Sequence, residues 1–511
     1  MENNNLRRII LATVISFVFF FAYDYFVLQP QIKQGVKENN ITKVTTQENK
    51  KVKKERSNLK IDVVAKIEAK NYEVKIDSLG RISSFILKQN KFNTEKGQHL
   101  ELIPSKLPKP LEIRFEDNEL NKKAFNTKVE VDKKLIKLNN KPQKIIITQN
   151  LGKVILKKIV TFYPNGRYDV EVTLNKNVNY FISPGYRPNV AIDQLTIHGA
   201  LIKKADGTLD IIKDGDATAK TINNAIIVAG FDRYYTTLFF SKNPLNAVVI
   251  PDEEKNPVLF IKDNKDLKLI GYIGPKYVDV LKSIDPELVD VVQYGVGTFF
   301  ARNLFLLLDF LYKISHNWGI AIILLVILVR IVLFPLTFKG MVSMYKLKEL
   351  APKMKEIQER YKKDPQKLQM HMMKLYKEHG ANPLGGCLPL LLQIPIFYGI
   401  YKLLLYSIEL KGAHFLWIKD LSEMDPYFIL PVLMGITMYI HQKLTPTNFQ
   451  DPMQEKIFKF LPVVFTIMMA TFPAGLVLYW TVNNILSILQ QVLINKIMES
   501  KKLIAKAKNE N

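Results

Sequence analysis

Residues 324–334 read Leu324-Leu325-Val326-Ile327-Leu328-Val329-Arg330-Ile331-Val332-Leu333-Phe334, so a single arginine interrupts an otherwise apolar run. The run belongs to a segment apolar and long enough to cross a bilayer. A charge at membrane depth costs roughly 2.5 to 3.5 kcal/mol on insertion scales, so such an arginine normally faces water or a polar partner. The stretch therefore predicts a membrane helix whose side at Arg330 faces water or polar groups.

Apolar runs of spanning or near-spanning length occur six times in the chain. They lie at residues 6–28, 317–338, 384–407, 426–442, 457–472 and 474–494. Because about 20 apolar residues cross a bilayer as a helix, the pattern predicts a polytopic α-helical membrane protein with six transmembrane helices. Pro473-Ala474-Gly475 leaves room only for a tight turn, so the last two helices are predicted to form a hairpin.

The composition indicates a membrane protein with a large soluble part. Of 511 residues, 48% are hydrophobic and 23% are charged, too many charges for a wholly buried chain. The net charge of +24 is spread over loops and tails without a nucleic-acid-binding motif, so no specific nucleic-acid site is predicted. Cys387 is the single cysteine, which excludes an internal disulfide and a cysteine metal cluster.

Charge asymmetry between short loops predicts the orientation, since lysine and arginine favour the cytoplasmic side. Residues 339–380 hold eleven basic and five acidic side chains, whereas residues 408–425 hold two basic and four acidic ones. The tail 496–511 is also basic. Both termini are therefore predicted to be cytoplasmic, with the large domain between the first two helices on the opposite, periplasmic side.

The first hydrophobic segment has two interpretations. Arg7 and Arg8 before an apolar core also resemble a secretory signal peptide. No small-x-small cleavage site follows the core, and residues 17–26 are rich in aromatics, which favours an uncleaved anchor over residues 1–28. Residues 29–59 are polar and are predicted to form a flexible periplasmic linker.

Residues 60–284 show the period-two alternation of β strands with one buried face, as at Tyr72, Val74 and Ile76. Pro164-Asn165-Gly166 separates two such runs and is typical of a hairpin turn. The region is therefore predicted to be an antiparallel β sandwich inserted between the first two membrane helices.

No motif for catalysis or for a cofactor is found in this β region. A nucleotide loop, a hydrolase nucleophile elbow, a zinc-protease motif and a calcium loop are all missing from its sequence, and His99 and His198 are isolated. The sequence therefore predicts neither an enzyme nor a cofactor nor a metal site.

Two helical segments flank the second membrane helix. Asp285-Pro286 is typical of a helix start, and residues 285–316 are predicted to form an interfacial amphipathic helix, the alternative being a core helix of the soluble domain. Residues 340–380 are predicted to form a cytoplasmic helical hairpin broken near Asp364-Pro365. Its flexible methionines suit recruitment of partners or, alternatively, the hairpin core. The recruitment candidates are Met344, Lys353, Met354, Met370 and Met373.

Several motifs in residues 285–495 occur in a characteristic order. They are Phe334-Pro335-Leu336-Thr337, Asn382-Pro383-Leu384-Gly385-Gly386-Cys387-Leu388-Pro389, Gln393-Ile394-Pro395-Ile396-Phe397, Asp425-Pro426-Tyr427, and Phe472-Pro473-Ala474-Gly475-Leu476 through Tyr479-Trp480-Thr481-Val482-Asn483-Asn484. This pattern closely resembles the Oxa/YidC/Alb family of membrane protein insertases, in its Gram-negative type with a large periplasmic domain.

The resemblance implies a bacterial inner-membrane protein whose residues 317–495 form a five-helix insertase core. That core would enclose a hydrophilic groove, open to the cytoplasm and sideways to lipid and closed toward the periplasm. Arg330 matches the groove arginine of the family. The implied partners are newly made inner-membrane proteins, the Sec translocon, membrane lipids, and the ribosome or targeting factors bound by the hairpin and by the tail 496–511.

Polar residues of the core are the candidates for contacting substrate in this groove, and simple packing between helices is the alternative for each of them. The candidates are Arg330, Gln393, Thr437, Trp480, Thr481 and Asn484, and Asn483 and Gln490 are further residues suited to hydrate the groove. For Arg330 itself, snorkelling or lipid headgroup binding is the competing interpretation.

The leading functional hypothesis is that Arg330 attracts the polar extracellular segment of a substrate while its apolar helix moves sideways into lipid. A transporter or channel is the main alternative, but it predicts a repeated half, paired intramembrane charges or a continuous polar pore. None of these is evident in the sequence. A membrane-tethered periplasmic protein is a third class, and it leaves the motif-rich second half unexplained.

Overall fold

The computed structural model describes residues 59–94, 96–106, 108–192, 196–294, 298–362, 364–380, 388–444 and 452–509. The predicted anchor at 1–28 and all but the last residue of the predicted linker at 29–59 lie outside these residues. The chain divides into two compact units, one within Gln31–Gln293 and the other, apart from the N-terminal residues, within Tyr294–Asn511. Each unit has its own architecture.

The first unit consists mainly of β strands with two short helices, α1 at Asn118–Asn126 and α2 at Val278–Ile284. The strands are β1 Val63–Glu68, β2 Tyr72–Asp77, β3 Ile82–Leu87, β4 Leu100–Glu101, β5 Ile113–Phe115, β6 Glu130–Val131, β7 Leu135–Lys137, β8 Gln143–Asn150, β9 Ile155–Phe162, β10 Arg167–Leu174, β11 Tyr180–Ile182, β12 Gly199–Lys204, β13 Leu209–Lys213, β14 Lys220–Phe231, β15 Tyr235–Pro251, β16 Pro257–Asp263 and β17 Leu267–Pro275.

These strands form two sheets. The smaller sheet has the order β4-β3-β2-β1-β7, and the larger one follows the path β13-β12-β14-β15-β17-β10-β9-β8-β6, with β16, β11 and β5 paired off that path. Pairing among the described strands is antiparallel except between β1 and β7, which run parallel. The β-rich domain predicted from the alternation is confirmed, with this parallel pair as a departure from a purely antiparallel arrangement.

The predicted alternation corresponds to buried faces. Tyr72, Val74 and Ile76 of β2 are all buried, as the period of two requires. Gly166 has φ +90° in the turn that joins β9 to β10, and a Cβ there would lie 2.7 Å from the carbonyl oxygen of Ile273. Glycine is therefore required at this hairpin by both its backbone conformation and its close approach to a neighbouring strand.

A buried lysine marks the contact between the two sheets. Lys158 of β9 donates to the carbonyl of Leu111 over 3.1 Å and to the carbonyl of Gly80. Complete burial lowers the pKa of Lys158 to about 7. Beside it, the guanidinium of Arg81 bridges Asp77 at 2.8 Å and Glu112 at 3.0 Å. The two sheets thus meet around polar groups that are satisfied by carbonyls and by opposite charges.

The second unit is helical. Its helices are α3 Thr298–Ser315, α4 Trp318–Arg360, α5 Pro365–Glu378, α6 Leu388–Tyr406, α7 Ile429–Leu444, α8 Pro452–Met469 and α9 Ala474–Asn509. Helix α9 packs between α4 and α7, and α3 packs on α4 and α6.

Two of the described helices, α4 and α9, are long and apolar enough to cross a membrane, and Ile396–Tyr406 is a shorter apolar segment. Helices α7 and α8 have 16 and 18 residues. The predicted count of six transmembrane helices is therefore not confirmed by helix length and composition. The first predicted helix, at 6–28, lies outside the described residues, and α7 starts at Ile429, three residues after the predicted run begins.

Two helices, α4 and α5, cover the region for which the hairpin is predicted, and α4 is continuous with the apolar segment 324–334. Helix α4 runs through Pro335 and Pro352 to Arg360, and α5 starts at Asp364-Pro365, where the Asp364 carboxylate accepts from the amide of Lys367 at 3.1 Å. Leu350, Met354, Met372 and Leu375 form its core. Helix α9 likewise continues beyond residue 495, so the predicted basic tail is helical as far as Asn509.

The predicted amphipathic helix is shorter than the range 285–316. Pro286–Val291 forms a separate 3-10 helix within the β unit, and α3 begins at Thr298. One stripe of α3 is buried, including Phe305 and Leu308, whereas Phe299 and Phe310 are exposed. An exposed apolar stripe opposite a packed one fits a helix that faces lipid.

Candidate functional site

Arg330 lies at the contact between α4 and α9 and is only 8% exposed. Its Nε donates to Oδ1 of Asn483 at 2.9 Å, and its Nη1 donates to Oε1 of Gln490 at 3.0 Å. Its Nη2 donates to Oδ1 of Asn483 at 2.8 Å, to the carbonyl oxygen of Asn483 at 3.1 Å and to the hydroxyl of Ser487. One side chain of α4 is thus held by three residues of α9.

The three acceptors share one face of α9. Positions 483, 487 and 490 follow the i, i+4, i+7 spacing that aligns side chains along a helix. Asn483 and Gln490 were predicted to hydrate the groove or to hydrogen-bond between helices, and Ser487 was not predicted at all. The helical spacing of Asn483, Ser487 and Gln490 was the signal in the sequence that identifies this polar stripe.

The acceptors of Arg330 are all neutral within the described part of the chain: two amide oxygens, a carbonyl oxygen and a hydroxyl. They accept hydrogen bonds from all three nitrogens of the guanidinium without cancelling its charge. A buried cation held in this way retains its attraction for an anion. This is the electrostatic property that distinguishes the site from a structural ion pair.

An open cavity of about 340 Å³ adjoins Arg330 between α4 and α9. Its lining is apolar apart from two side chains and consists of Ile327, Arg330, Ile331, Phe334, Leu486, Leu489, Gln490 and Leu493. Ile331 is 67% exposed and Leu489 is 59% exposed, so the cavity opens sideways at the surface of the helical unit. The guanidinium is therefore next to an apolar surface accessible from outside.

Thr437 and Asn484 form a separate contact between α7 and α9. The Nδ2 of Asn484 approaches the hydroxyl of Thr437 and the carbonyl of Met434 at 3.5 Å each. Thr481 is buried and donates within its own helix to the carbonyl of Val477 at 2.8 Å. In the described chain none of these three candidates hydrogen-bonds Arg330, and their contacts match the helix-packing interpretation.

Trp480 links three helices. Its ring lies 4.7 Å from that of Phe397 on α6, at 74°, and 5.7 Å from that of Phe465 on α8, at 48°. Trp480 itself is on α9, so this aromatic cluster connects α6, α8 and α9. The side chain of the remaining groove candidate, Gln393, lies outside the described residues.

The hairpin candidates separate into two groups. Met354 is buried in the hairpin core, which matches the alternative interpretation. Met370 and Met373 are 59% and 64% exposed, and Lys353 approaches Nε2 of His379 at 3.3 Å. The side chain of Met344 lies outside the described residues. Among the candidates whose side chains the structure describes, Met370 and Met373 present an apolar surface to a partner.

A helical unit with an apolar surface and a buried arginine held by neutral hydrogen-bond acceptors is typical of integral membrane proteins. A family model described as the 60Kd inner membrane protein matches residues 310–502, which lie in the helical unit.

The chain belongs to the YidC family of membrane protein insertases. It is 49% identical to the membrane protein insertase YidC of Campylobacter jejuni over 97% of each chain, and 50% identical to that of Wolinella succinogenes over 99% of this chain and 97% of the other. A crystal structure of an active YidC insertase with its first transmembrane domain resolved aligns with a TM-score of 0.37 at 20% identity, covering 84% of this chain and 94% of that one. The family resemblance of the motifs is thus confirmed by the sequence relatives.

Proposed function

We propose that this protein inserts newly made proteins into the bacterial inner membrane and assists their folding and assembly, without acting as an enzyme. The relatives that match along nearly its whole length are named membrane protein insertases. The observation that carries the mechanism is the geometry of Arg330, a buried cation whose described acceptors are all neutral.

Arg330 is the proposed contact for the polar extracellular segment of a substrate, particularly an acidic one. Two unit charges 4 Å apart attract by about 4 kcal/mol at an effective dielectric constant of 20. A carboxylate can therefore compete with the amide oxygens of Asn483 and Gln490, which bind the guanidinium without a charge. Because no permanent carboxylate is needed to hold Arg330, the substrate can also be released.

The apolar helix of the substrate would leave sideways into lipid. The cavity beside Arg330 has apolar walls at Ile331 and Leu489 and opens at the surface of the helical unit. Burial of apolar surface in lipid supplies the driving force. The sequence contains no nucleotide-binding motif, so no coupled hydrolysis is proposed.

The proposed arrangement in the membrane keeps six transmembrane helices, both termini in the cytoplasm and the β unit in the periplasm. The continuous helix α4 then carries the hairpin into the cytoplasm, where the exposed Met370 and Met373 would meet targeting factors or the ribosome. Cooperation with the Sec translocon and contacts with lipid headgroups are part of the same proposal.

Reconstitution tests this function. Proteoliposomes would contain the wild type, Arg330→Ala or Arg330→Lys, and protease protection would report insertion of a single-span substrate with an acidic translocated tail. We expect strong loss with alanine and substantial retention with lysine, because lysine keeps the charge. Arg360→Ala is the matched control, since Arg360 is exposed on the hairpin and pairs with Glu356. Full activity of Arg330→Ala would exclude the charge mechanism, and an inactive wild type would contradict the proposed function.

A further inference from the structure

The cavity beside Arg330 is a crevice between α4 and α9 that opens on the side of the helical unit, and it is here called the α4–α9 crevice. Its apolar walls are exposed, with Ile331 of α4 at 67%, Leu489 of α9 at 59% and Leu493 of α9 at 51%. Both helices are long and apolar enough to cross a membrane. Lipid chains are as apolar as these side chains, so in a bilayer they reach the crevice from the side.

Helices α4 and α9 run in the same direction. Near their starts, a Cβ on Gly475 of α9 would lie 3.6 Å from Cδ1 of Ile322 of α4. Further along both helices, Arg330 of α4 donates to the hydroxyl of Ser487 of α9. The two helices therefore advance side by side, and residues equally far beyond Arg330 and Ser487 lie at similar levels.

Two lysines occupy such matching positions. Lys339 lies nine residues after Arg330, and Lys496 lies nine residues after Ser487. Helical rise places each lysine about 14 Å further along its own helix. Both side chains are exposed. In the orientation proposed above, these two cations lie at the cytoplasmic surface of the membrane, on the two helices that form the crevice.

Arg330 itself has hydrogen-bonding capacity that its protein acceptors leave unused. A guanidinium carries five N–H bonds, two of them on Nη1. Within the described chain, Nη1 donates to Oε1 of Gln490 at 3.0 Å and to no second acceptor. Both Arg330 and Gln490 line the crevice. One N–H bond of a side chain that is only 8% exposed is therefore left for a ligand.

These features together fit an anionic phospholipid. The apolar walls suit an acyl chain, and the guanidinium suits a phosphate, to which arginine makes strong charge-assisted hydrogen bonds. An arginine at membrane depth draws headgroups and water inward by thinning the bilayer locally. Basic pockets between membrane helices on the cytoplasmic side bind anionic headgroups for the same electrostatic reason. The lipid lies on the side to which the crevice opens.

We propose that the α4–α9 crevice binds one anionic phospholipid of the cytoplasmic leaflet. Its acyl chain packs against Ile331 and Leu489, and its phosphate is drawn toward Nη1 of Arg330. Lys339 and Lys496 attract the headgroup at the membrane surface. The inference rests on the proposed function for the orientation of α4 and α9, but it requires no insertion, because the lipid binds without a substrate. The lipid is thus the resting occupant of the site, and an acidic substrate segment exchanges with it.

Native mass spectrometry tests this site. Full-length wild type, Arg330→Gln and Leu489→Trp in a neutral detergent would be titrated with phosphatidylglycerol or with phosphatidylcholine of the same acyl chains. We expect the wild type to bind its first phosphatidylglycerol about tenfold more tightly than phosphatidylcholine, because a hydrogen bond to a charged group is worth about this factor. Arg330→Gln should remove the preference. Leu489→Trp should weaken both lipids about tenfold, since the indole fills the space of the acyl chain.

Ile485→Trp is the matched control, because Ile485 is on α9, is 42% exposed and does not line the crevice. It should leave both affinities at the wild-type level. Circular dichroism and gel filtration would verify the fold of each variant, and Leu489→Trp carries the test if Arg330→Gln does not fold.

Three results would overturn the lipid site. They are equal affinities of the wild type for the two lipids, a full preference retained in folded Arg330→Gln, and equal losses for Leu489→Trp and Ile485→Trp. Failure of the insertase function would appear separately, as a wild type that binds phosphatidylglycerol selectively and inserts no substrate in proteoliposomes.

Discussion

Gln442 of α7 donates from its Nε2 to the main-chain carbonyl of Phe458 in α8. The residue four positions after Phe458 is Pro462, which lies inside α8 and has no amide hydrogen to complete the usual helical bond. A side chain of one helix therefore supplies the donor that the proline removes from the next helix. A hydrogen bond from a neighbouring helix thus accompanies the proline of α8.

Gln442→Leu should weaken the pairing of α7 and α8 by about 1 to 2 kcal/mol, because it removes the side-chain donor to the carbonyl of Phe458. Pro462→Ala restores a helical amide, so the same glutamine substitution should cost much less in that background. A double-mutant cycle of unfolding free energies in detergent micelles measures this difference. If Gln442→Leu lowers the free energy of unfolding equally in the wild type and in Pro462→Ala, Gln442 acts independently of the proline.

Lys158 predicts a pH dependence of the β unit. Its pKa is about 7 in the folded protein and 10.5 in the unfolded chain, with burial as the largest cause. Between these values the folded state binds fewer protons, so the free energy of unfolding should increase as pH rises from about 7 toward 10.5. Asp77, Arg81 and Glu112 face the same group and modulate its titration.

Lys158→Met removes this titration and should flatten the corresponding part of the pH profile. The measurement is urea unfolding of the β unit, followed by pulse proteolysis at several pH values. Lys153→Met is the control, since Lys153 is exposed and close in sequence. The free energies of unfolding of the wild type and of Lys158→Met are compared between about pH 7 and 10.5. If their difference stays constant over this range, Lys158 remains charged in the folded state.

Local patterns predicted much of the fold. Alternation identified the buried face of β2, the Asn-Gly pair identified the turn at Gly166, and Asp364-Pro365 identified the break between α4 and α5. Each of these signals depends on a few neighbouring residues, because side-chain period and backbone preference act locally. Arg330 was also recognisable as a candidate site residue, since a charge within an apolar span needs a polar partner or water.

Contacts between residues far apart in the sequence could not be predicted in the same way. Ser487 contacts Arg330 across 157 positions of the chain, and a serine in an apolar helix has no local feature that reveals its partner. The parallel pairing of β1 with β7 is also non-local. The predicted span 317–338 ends three residues after Pro335, whereas α4 continues through this proline to Arg360, as membrane helices often do when neighbours satisfy the freed carbonyl.

The aromatic cluster around Trp480 predicts a packing effect on the three helices that it joins. Trp480→Ala removes the ring between Phe397 and Phe465 and should destabilise the helical unit by about 3 to 5 kcal/mol, the range for large aromatic truncations. Trp480→Phe keeps an aromatic ring and should cost much less. Thermal unfolding in detergent compares the two variants. If both variants lose a similar amount of stability, the indole itself, rather than aromatic packing, stabilises the contact.

The neutral surroundings of Arg330 lead to the most specific prediction for the proposed mechanism. Asn483→Asp is nearly isosteric and places a permanent carboxylate where Oδ1 now accepts from Nε at 2.9 Å and from Nη2 at 2.8 Å. The charge of the guanidinium would then be neutralised within the protein. Insertion of a substrate with an acidic tail should fall by about tenfold, which corresponds to roughly 1.4 kcal/mol.

A substrate with a neutral tail separates this electrostatic effect from a defect in folding, because its insertion should change much less in Asn483→Asp. Asn495→Asp adds the same charge to the same helix away from Arg330, where Asn495 accepts from Gln491 at 2.9 Å, and should leave both substrates unaffected. Equal losses for acidic and neutral tails would mean that the substitution damages the helix contact. Unchanged insertion of both would mean that the charge of Arg330 does not attract the substrate, and that the site acts through hydration alone.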